Sequence, residues 1–146
     1  MLRGKRKSGM AENSLVLARL PIQSGIILGM LPLPVHFLLP LELSHQLAAI
    51  TVVLIAGVYL GYAVKDGRAR IILIELLGAL GFAAAAWGGI NGYPAIILVA
   101  LALHGCWDFL HRSVIETDMP RWYIPFCAVA DWIMAGSLFV VWYVSA

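Results

Sequence analysis

Long uninterrupted runs of apolar residues dominate the pattern along this chain of 146 residues. A helix that spans a bilayer needs about 20 mostly apolar residues, because each residue adds about 1.5 Å of length. Five runs meet this requirement, over approximately residues 21–39, 45–64, 71–90, 93–111 and 122–145. The pattern therefore predicts an all-α polytopic membrane bundle of five transmembrane helices, which form one domain over residues 21–146 behind a basic segment over residues 1–20.

The first run contains several prolines and is the least regular of the five. Pro32 and Pro34 lie inside it and Pro40 closes it. Proline removes a backbone hydrogen bond from a helix interior, so the second half of this run is expected to be broken or re-entrant. A bundle of four helices is the alternative.

Composition agrees with a membrane protein and argues against other classes. Hydrophobic residues make up 62% of the chain and charged residues only 12%, whereas soluble proteins are about a quarter charged. The basic opening segment lacks the short apolar core of a signal peptide. We expect the lipid bilayer to be a partner and no nucleic acid to bind, since this short basic run suits an anionic lipid surface better.

The basic residues indicate how the helices are oriented. Cytoplasmic loops of membrane proteins are enriched in Lys and Arg. With five spans, all ten basic residues fall on one side, while the connections at residues 40–44 and 91–92 contain none. This pattern predicts a cytoplasmic N-terminus and an external C-terminus in a bacterial inner membrane or a plasma membrane. Removing the first span would place the N-terminal basic cluster outside, so the charges favour five helices.

The fourth run carries polar groups where lipid should exclude them. Its segment LHGCWDFLH contains His104, Asp108 and His111. If Arg112 marks the cytoplasmic boundary, Asp108 lies about 6 Å and His104 about 12 Å inside it. At a helical turn of about 100° per residue, the three side chains share one stripe about 60° wide.

The neighbouring runs place carboxylates at matching depths. Glu75 lies about 6 Å inside the cytoplasmic boundary and Asp131 about 14 Å inside it. A charged residue in the hydrocarbon costs about 2.5–3.5 kcal/mol even on a lenient insertion scale. These groups are therefore expected to face inward and to meet in one site.

A metal site is the first interpretation of this polar set. His104, Asp108, His111 and Asp131 are predicted ligands, because imidazole and carboxylate groups suit Zn, Fe or Mn. Asp108 and Glu75 are predicted catalytic residues, with a carboxylate acting as general base toward a metal-bound water. The corresponding activity is the hydrolysis of an ester or amide in a lipid-like substrate.

Two other interpretations remain open. The same stripe could relay protons or hold a small polar ligand in a proton-coupled transporter, because carboxylate and His chains do so in membrane proteins. Alternatively, a hydrogen-bonded polar core could only fix the helix register of a structural or accessory subunit. The sequence does not choose among the three.

Features outside this stripe are assigned ordinary roles. His36, Glu42 and His45 lie near the outer face and are expected to be solvated there. Trp142 is expected to be a membrane-interface anchor, as are Trp87, Trp122 and Tyr143. Small residues on the second and third helices, including the GxxxG at residues 57–61, could bring helices together within one chain or in a homo-oligomer.

The polar segment also carries a family resemblance. LHGCWDFLH, followed by RWYIPFC at residues 121–127 and by Asp131 and Trp132, resembles a family of small bacterial and fungal integral membrane proteins of unknown function. That resemblance implies a helical membrane protein with its site on the same stripe. Members of the family often have a second His after the one that corresponds to His111, where this chain has Arg112. A looser likeness of architecture links it to intramembrane zinc hydrolases such as alkaline ceramidases and adiponectin receptors.

Overall fold

The computed structural model describes residues 20–145, which are helical apart from short connections. Five helices follow one another, and each is long and apolar enough to span a membrane. They are α1 (Leu20–Leu38), α2 (Leu41–Asp66), α3 (Ala69–Asn91), α4 (Ala95–Leu110, continued by the π-helical turn His111–Ile115) and α5 (Tyr123–Ser145). The prediction of an all-α bundle with five membrane-spanning helices is confirmed. The predicted basic segment falls outside the described residues, apart from Leu20.

Helix α1 contains the interruption that its prolines predict. The helix pauses in a turn at residues 31 and 32 and resumes over Leu33–Leu38. Pro32 has no backbone N–H to donate, but its carbonyl accepts from the N–H of His36 at 3.2 Å, so the helix can restart. Pro40 then separates α1 from α2.

The bundle is arranged so that consecutive helices lie side by side. Helix α2 packs along α3, α4 packs along α5, and α3 also contacts α4. Helix α1 packs against α5, and α2 contacts α4. Because α4 lies between α3 and α5 and also meets α2, its side chains can reach three neighbours. We call the end that carries Arg68, Arg112 and Arg121 the basic end of the bundle.

An apolar core fills the half of the bundle away from the basic end. Its largest fully buried members include Val52 on α2, Ile97 and Leu101 on α4, and Leu138 on α5. No ionisable side chain belongs to this core cluster. Within residues 20–145, the buried polar side chains lie on either side of this cluster, toward the two ends of the bundle.

Glycines allow some of these helices to approach closely. A Cβ added at Gly29 on α1 would lie 2.6 Å from the carbonyl oxygen of Ala130 and 2.9 Å from Cβ of Ile133. The predicted GxxxG behaves differently, because a Cβ at Gly57 or Gly61 would meet nothing within 4 Å. The GxxxG therefore packs no helix within the described part of the chain, and its role in a homo-oligomer stays a prediction.

This contrast gives a direct test of the packing. Replacing Gly29 by Ala should lower stability by about 1–3 kcal/mol, because the new methyl group would push against backbone atoms of α5. Replacing Gly57 by Ala should leave stability unchanged or raise it by up to about 1 kcal/mol through helix propensity. The thermal unfolding midpoints of the two variants in detergent measure the difference, and equal midpoints would contradict this packing.

Candidate functional site

The five side chains that the sequence singles out all lie inside the bundle. His104, Asp108 and His111 of α4 and its π-helical turn, Glu75 of α3 and Asp131 of α5 are each at most 3% exposed. Their spacing along α4 puts them on the buried face, and their neighbours across that face are α3 and α5. The expectation that none of them faces lipid is confirmed.

Three of these residues form one compact group. Nδ1 of His104 lies 2.7 Å from Oδ2 of Asp131 and 3.7 Å from Oδ1 of Asp108. One potential ligand atom from each residue lies within 4.8 Å of the other two. We call His104, Asp108 and Asp131 the His/Asp triad.

His111 and Glu75 form a separate pair nearer the basic end. Nε2 of His111 lies 2.5 Å from Oε1 of Glu75, while Nδ1 lies 3.0 Å from the backbone carbonyl of Trp107. Because a carbonyl only accepts, Nδ1 carries a proton. The pair is therefore either an imidazolium with a carboxylate, or a neutral imidazole that accepts from a protonated Glu75. In both states one proton lies in the hydrogen bond between Nε2 and Oε1.

Two further side chains fix Glu75 in place. The hydroxyl of Thr117, in the connection that follows the π-helical turn, donates to Oε1 at 3.1 Å. The indole N–H of Trp107 donates to Oε2 at 3.4 Å. With His111, these donors give both carboxylate oxygens a partner, so Glu75 is buried without an unsatisfied oxygen.

Tyr59 of α2 joins the triad to the His111–Glu75 pair. Its hydroxyl donates to Oδ1 of Asp108 at 2.5 Å, and its ring stacks on His111 with centroids 4.2 Å apart. Tyr59 is not among the residues that the sequence pattern singles out. Depth along the helix could have indicated it, because it lies six residues before Lys65, about 9 Å inside the boundary and between the levels of Asp108 and His104.

The structure thus divides the set that the sequence placed in one site. His104, Asp108 and Asp131 come together as potential ligands. Among the described residues, His111 is bonded to Glu75 instead and lies outside this group. Trp107, one turn before His111, also donates to Glu75. The two parts remain in contact through Tyr59.

Two polar atoms of the triad have no partner within the described part of the chain. Nε2 of His104 and Oδ2 of Asp108 are buried and make no hydrogen bond. Leaving a buried polar group unpaired costs about 1–3 kcal/mol, so such groups usually mark a water or an ion. Both atoms are of the types that coordinate transition metals.

A cavity at the basic end leads to the His111–Glu75 pair. It has a volume of about 560 Å³, and its floor includes His111 and Thr117. We call the exposed charged residues that line it the rim, and these include Arg68, Arg112 and Arg121. No member of the His/Asp triad lines this cavity, so the triad lies deeper, behind His111 and Tyr59.

Polar residues near the opposite end differ from their prediction. His36 is only 3% exposed, and its Nδ1 lies 2.8 Å from Oγ of Ser44. Trp142 is also buried and donates to the same oxygen at 2.8 Å. The expectations that His36 is solvated and that Trp142 anchors the interface are therefore wrong, because α1, α2 and α5 converge there. Glu42 is exposed and His45 is half-buried, with its ring against Trp142.

The Tyr59 hydroxyl offers a test of this arrangement. In Tyr59→Phe, Oδ1 of Asp108 would lose its donor, and we expect a loss of about 1–3 kcal/mol in the free energy of unfolding. Tyr62→Phe, one turn along α2, removes a hydroxyl that has no hydrogen-bond partner among the described residues and should change little. Unfolding in detergent measures both variants, and an equal response would argue against the Tyr59–Asp108 bond.

In comparisons with protein-family models, with curated proteins and with solved structures, no match to this chain is found.

Proposed function

We propose that this chain is an integral membrane protein that binds a divalent transition metal, Zn, Fe or Mn, at the His/Asp triad and hydrolyses an ester or amide bond of a lipid-like substrate. One observation carries the proposal. Within a buried group of three potential ligands, a histidine nitrogen and a carboxylate oxygen have no partner. A metal ion is a partner that each of these two atoms could take.

The donor set suits such an ion. Bonds of about 2.0–2.2 Å to nitrogen and oxygen hold two ligand atoms on one ion at most about 4.4 Å apart. The triad atoms lie within 4.8 Å of one another, so small side-chain rotations would bring them to an ion. Three protein ligands also leave a position open, as in catalytic zinc sites. Tyr59 would orient the carboxylate of Asp108 through its hydrogen bond.

The residues toward the cavity suit proton transfer. A bound metal would supply a Lewis acid that makes water nucleophilic near neutral pH. A hydrogen bond joins Oε1 of Glu75 to Nε2 of His111, and His111 lines the cavity. In this proposal Glu75 is the general base, with His111 as its hydrogen-bonded partner, and Asp108 contributes the second carboxylate next to the reacting bond. With the basic end toward the cytoplasm, the cavity opens on that side.

A proton-relay protein is the second candidate, and a specific observation favours it. Protonatable groups lie close together from the cavity inward, because Glu75 is hydrogen-bonded to His111 and the Tyr59 hydroxyl donates to Asp108 of the triad. The contact between His111 and Tyr59 is a ring stack and not a hydrogen bond. Beyond the triad, however, the core of α4 and α5 is apolar, with Leu101 and Leu138 fully buried. A transmembrane relay would require water or a conformational change to cross this region. The hydrolase proposal needs no path across this apolar region, but its substrate and water would have to pass His111 and Tyr59 to reach the buried triad.

The two candidates can be separated with purified full-length protein. A fluorogenic fatty-acyl ester and the matching amide in mixed micelles test hydrolysis, and a pH-sensitive dye in liposomes tests proton flux. We expect hydrolysis that chelation abolishes, that added Zn, Fe or Mn restores, and that Asp108→Asn removes. Glu42→Gln, an exposed carboxylate at the opposite end, is the matched control and should keep full activity. Hydrolysis that is absent or insensitive to chelation would overturn the proposal, and flux lost in Asp131→Asn would favour the relay.

A further inference from the structure

The rim of the cavity at the basic end carries an unusual concentration of charge. Three arginines line it, together with two carboxylates, those of Glu116 and Asp118. The rim lies where α4 ends and α5 begins, which is the level of lipid headgroups for helices of this length. None of these charged groups belongs to the buried set described above.

Arg68 is held in place at this rim by several hydrogen bonds. Its guanidinium is bonded to both carboxylate oxygens of Asp66, at 2.6 and 2.8 Å, and to the backbone carbonyl of Glu116 at 2.6 Å. The bond to Asp66 raises the pKa of Arg68 above its ordinary value. Asp66 also accepts from the backbone N–H of Asp118 at 2.9 Å. The connection after α4 is thereby tied to the connection between α2 and α3, and the cavity between them keeps its shape.

Arg112 and Arg121 are in a different situation. Both are exposed and both line the cavity, yet neither forms an ion pair or a side-chain hydrogen bond with another described residue. Each guanidinium therefore presents its full set of N–H donors. Guanidinium groups match the oxygens of a phosphate with paired hydrogen bonds, and they lose less hydration than ammonium groups when they do so.

We infer that this cavity binds a phosphate group through Arg112 and Arg121, and that Arg68, which also lines the cavity, is held in place beside them. The ligand is a phosphomonoester or inorganic phosphate, and the volume of about 560 Å³ has room for a phosphate with a glycerol-sized substituent. Glu116 and Asp118 limit the positive charge of the rim, which favours one phosphate over a polyanion. The inference does not depend on a metal at the triad.

The test measures binding to the full chain in an uncharged detergent. A chelator is present, so that a metal ion at the triad does not contribute to the binding that is measured. Inorganic phosphate, short-chain phosphatidate and short-chain phosphatidylcholine are titrated in turn by calorimetry. Binding of phosphatidate and phosphate supports a general phosphate site, and binding of phosphatidate alone supports a lipid headgroup as the source. Binding of neither, or of phosphatidylcholine as tightly as phosphatidate, would overturn the inference.

Matched variants separate a site from general attraction between charges. The double variant Arg112→Gln with Arg121→Gln should weaken phosphatidate binding at least about tenfold, because two charge-assisted contacts are lost. Arg70→Gln removes an exposed arginine that lies at the same end but outside the cavity lining, and it should change affinity less than about twofold. An unchanged elution profile in gel filtration shows that the variants are folded. Equal losses in both variants would overturn the site.

Discussion

Replacing Glu75 by Ala is expected to destabilise the protein by about 3–5 kcal/mol, because one partner of a buried hydrogen-bonded pair is removed and the other is left without it. His111 would keep a buried ring without its acceptor, and Thr117 and Trp107 would lose theirs. The exposed Glu42 is the matched control, and Glu42→Ala should stay within about 0.5 kcal/mol of the parent chain. Thermal or denaturant unfolding in detergent gives both values.

The double variant Glu75→Leu with His111→Leu sharpens this prediction. A buried pair that is exchanged as a whole for apolar residues often costs little, because no unpaired charge remains. We therefore expect the double variant to be more stable than Glu75→Ala. A double variant less stable than Glu75→Ala, or a Glu75→Ala protein as stable as the parent, would contradict the His111–Glu75 pair. If the double variant also retained all cellular function, a purely structural role of this pair would be favoured.

A metal that binds the folded triad should also raise stability. At a free concentration about 100 times Kd, a ligand that binds only the folded state adds about 2.7 kcal/mol. We expect Zn, Fe or Mn to raise the thermal midpoint of the chelated protein and to leave His104→Ala unchanged. His45→Ala, a histidine near the opposite end, should respond like the parent. An equal rise in His104→Ala would place the ion elsewhere.

The number of helices was predictable because it depends on length and hydropathy alone. Apolar runs of about 20 residues have few other structures open to them, and the spans of the structure differ from the expected ones by a few residues at each end. The break in α1 was also predictable, since the missing N–H of Pro32 is a local property. The burial of Glu75 and Asp108 followed from the cost of placing a charge in hydrocarbon.

The pairing within the site was not predictable in the same way. Helical geometry placed His104, Asp108 and His111 on one stripe of α4, but it does not say which neighbour each side chain meets. Helix α4 lies between α3 and α5, so the stripe divides, with His111 turned to Glu75 and His104 to Asp131. The π-helical turn that begins at His111 also changes the direction of its side chain, and a constant turn of about 100° per residue does not predict this change.

Tyr59, His36 and Trp142 show a second reason why the site residues and their contacts could not all be predicted from the sequence. Tyr59 carries no charge at neutral pH, so its place in an apolar run does not mark it as a site residue, although its hydroxyl bonds to Asp108 and its ring stacks on His111. For His36 and Trp142, depth along the helix predicts only a position near the membrane surface and not whether the side chain is buried. Their burial depends on Ser44, which accepts from Trp142 and pairs with His36, and this contact among three helices exists only in the folded bundle.

The most direct test of the metal at the His/Asp triad is the metal content of the protein. Full-length protein purified in mild detergent without chelators would be analysed for Zn, Fe and Mn beside His104→Ala and His45→Ala. We predict about one equivalent of one of these metals in the parent chain and in His45→Ala, and a loss of most of it in His104→Ala. A parent chain without metal, or a His104→Ala protein that keeps the full equivalent, would contradict the proposal.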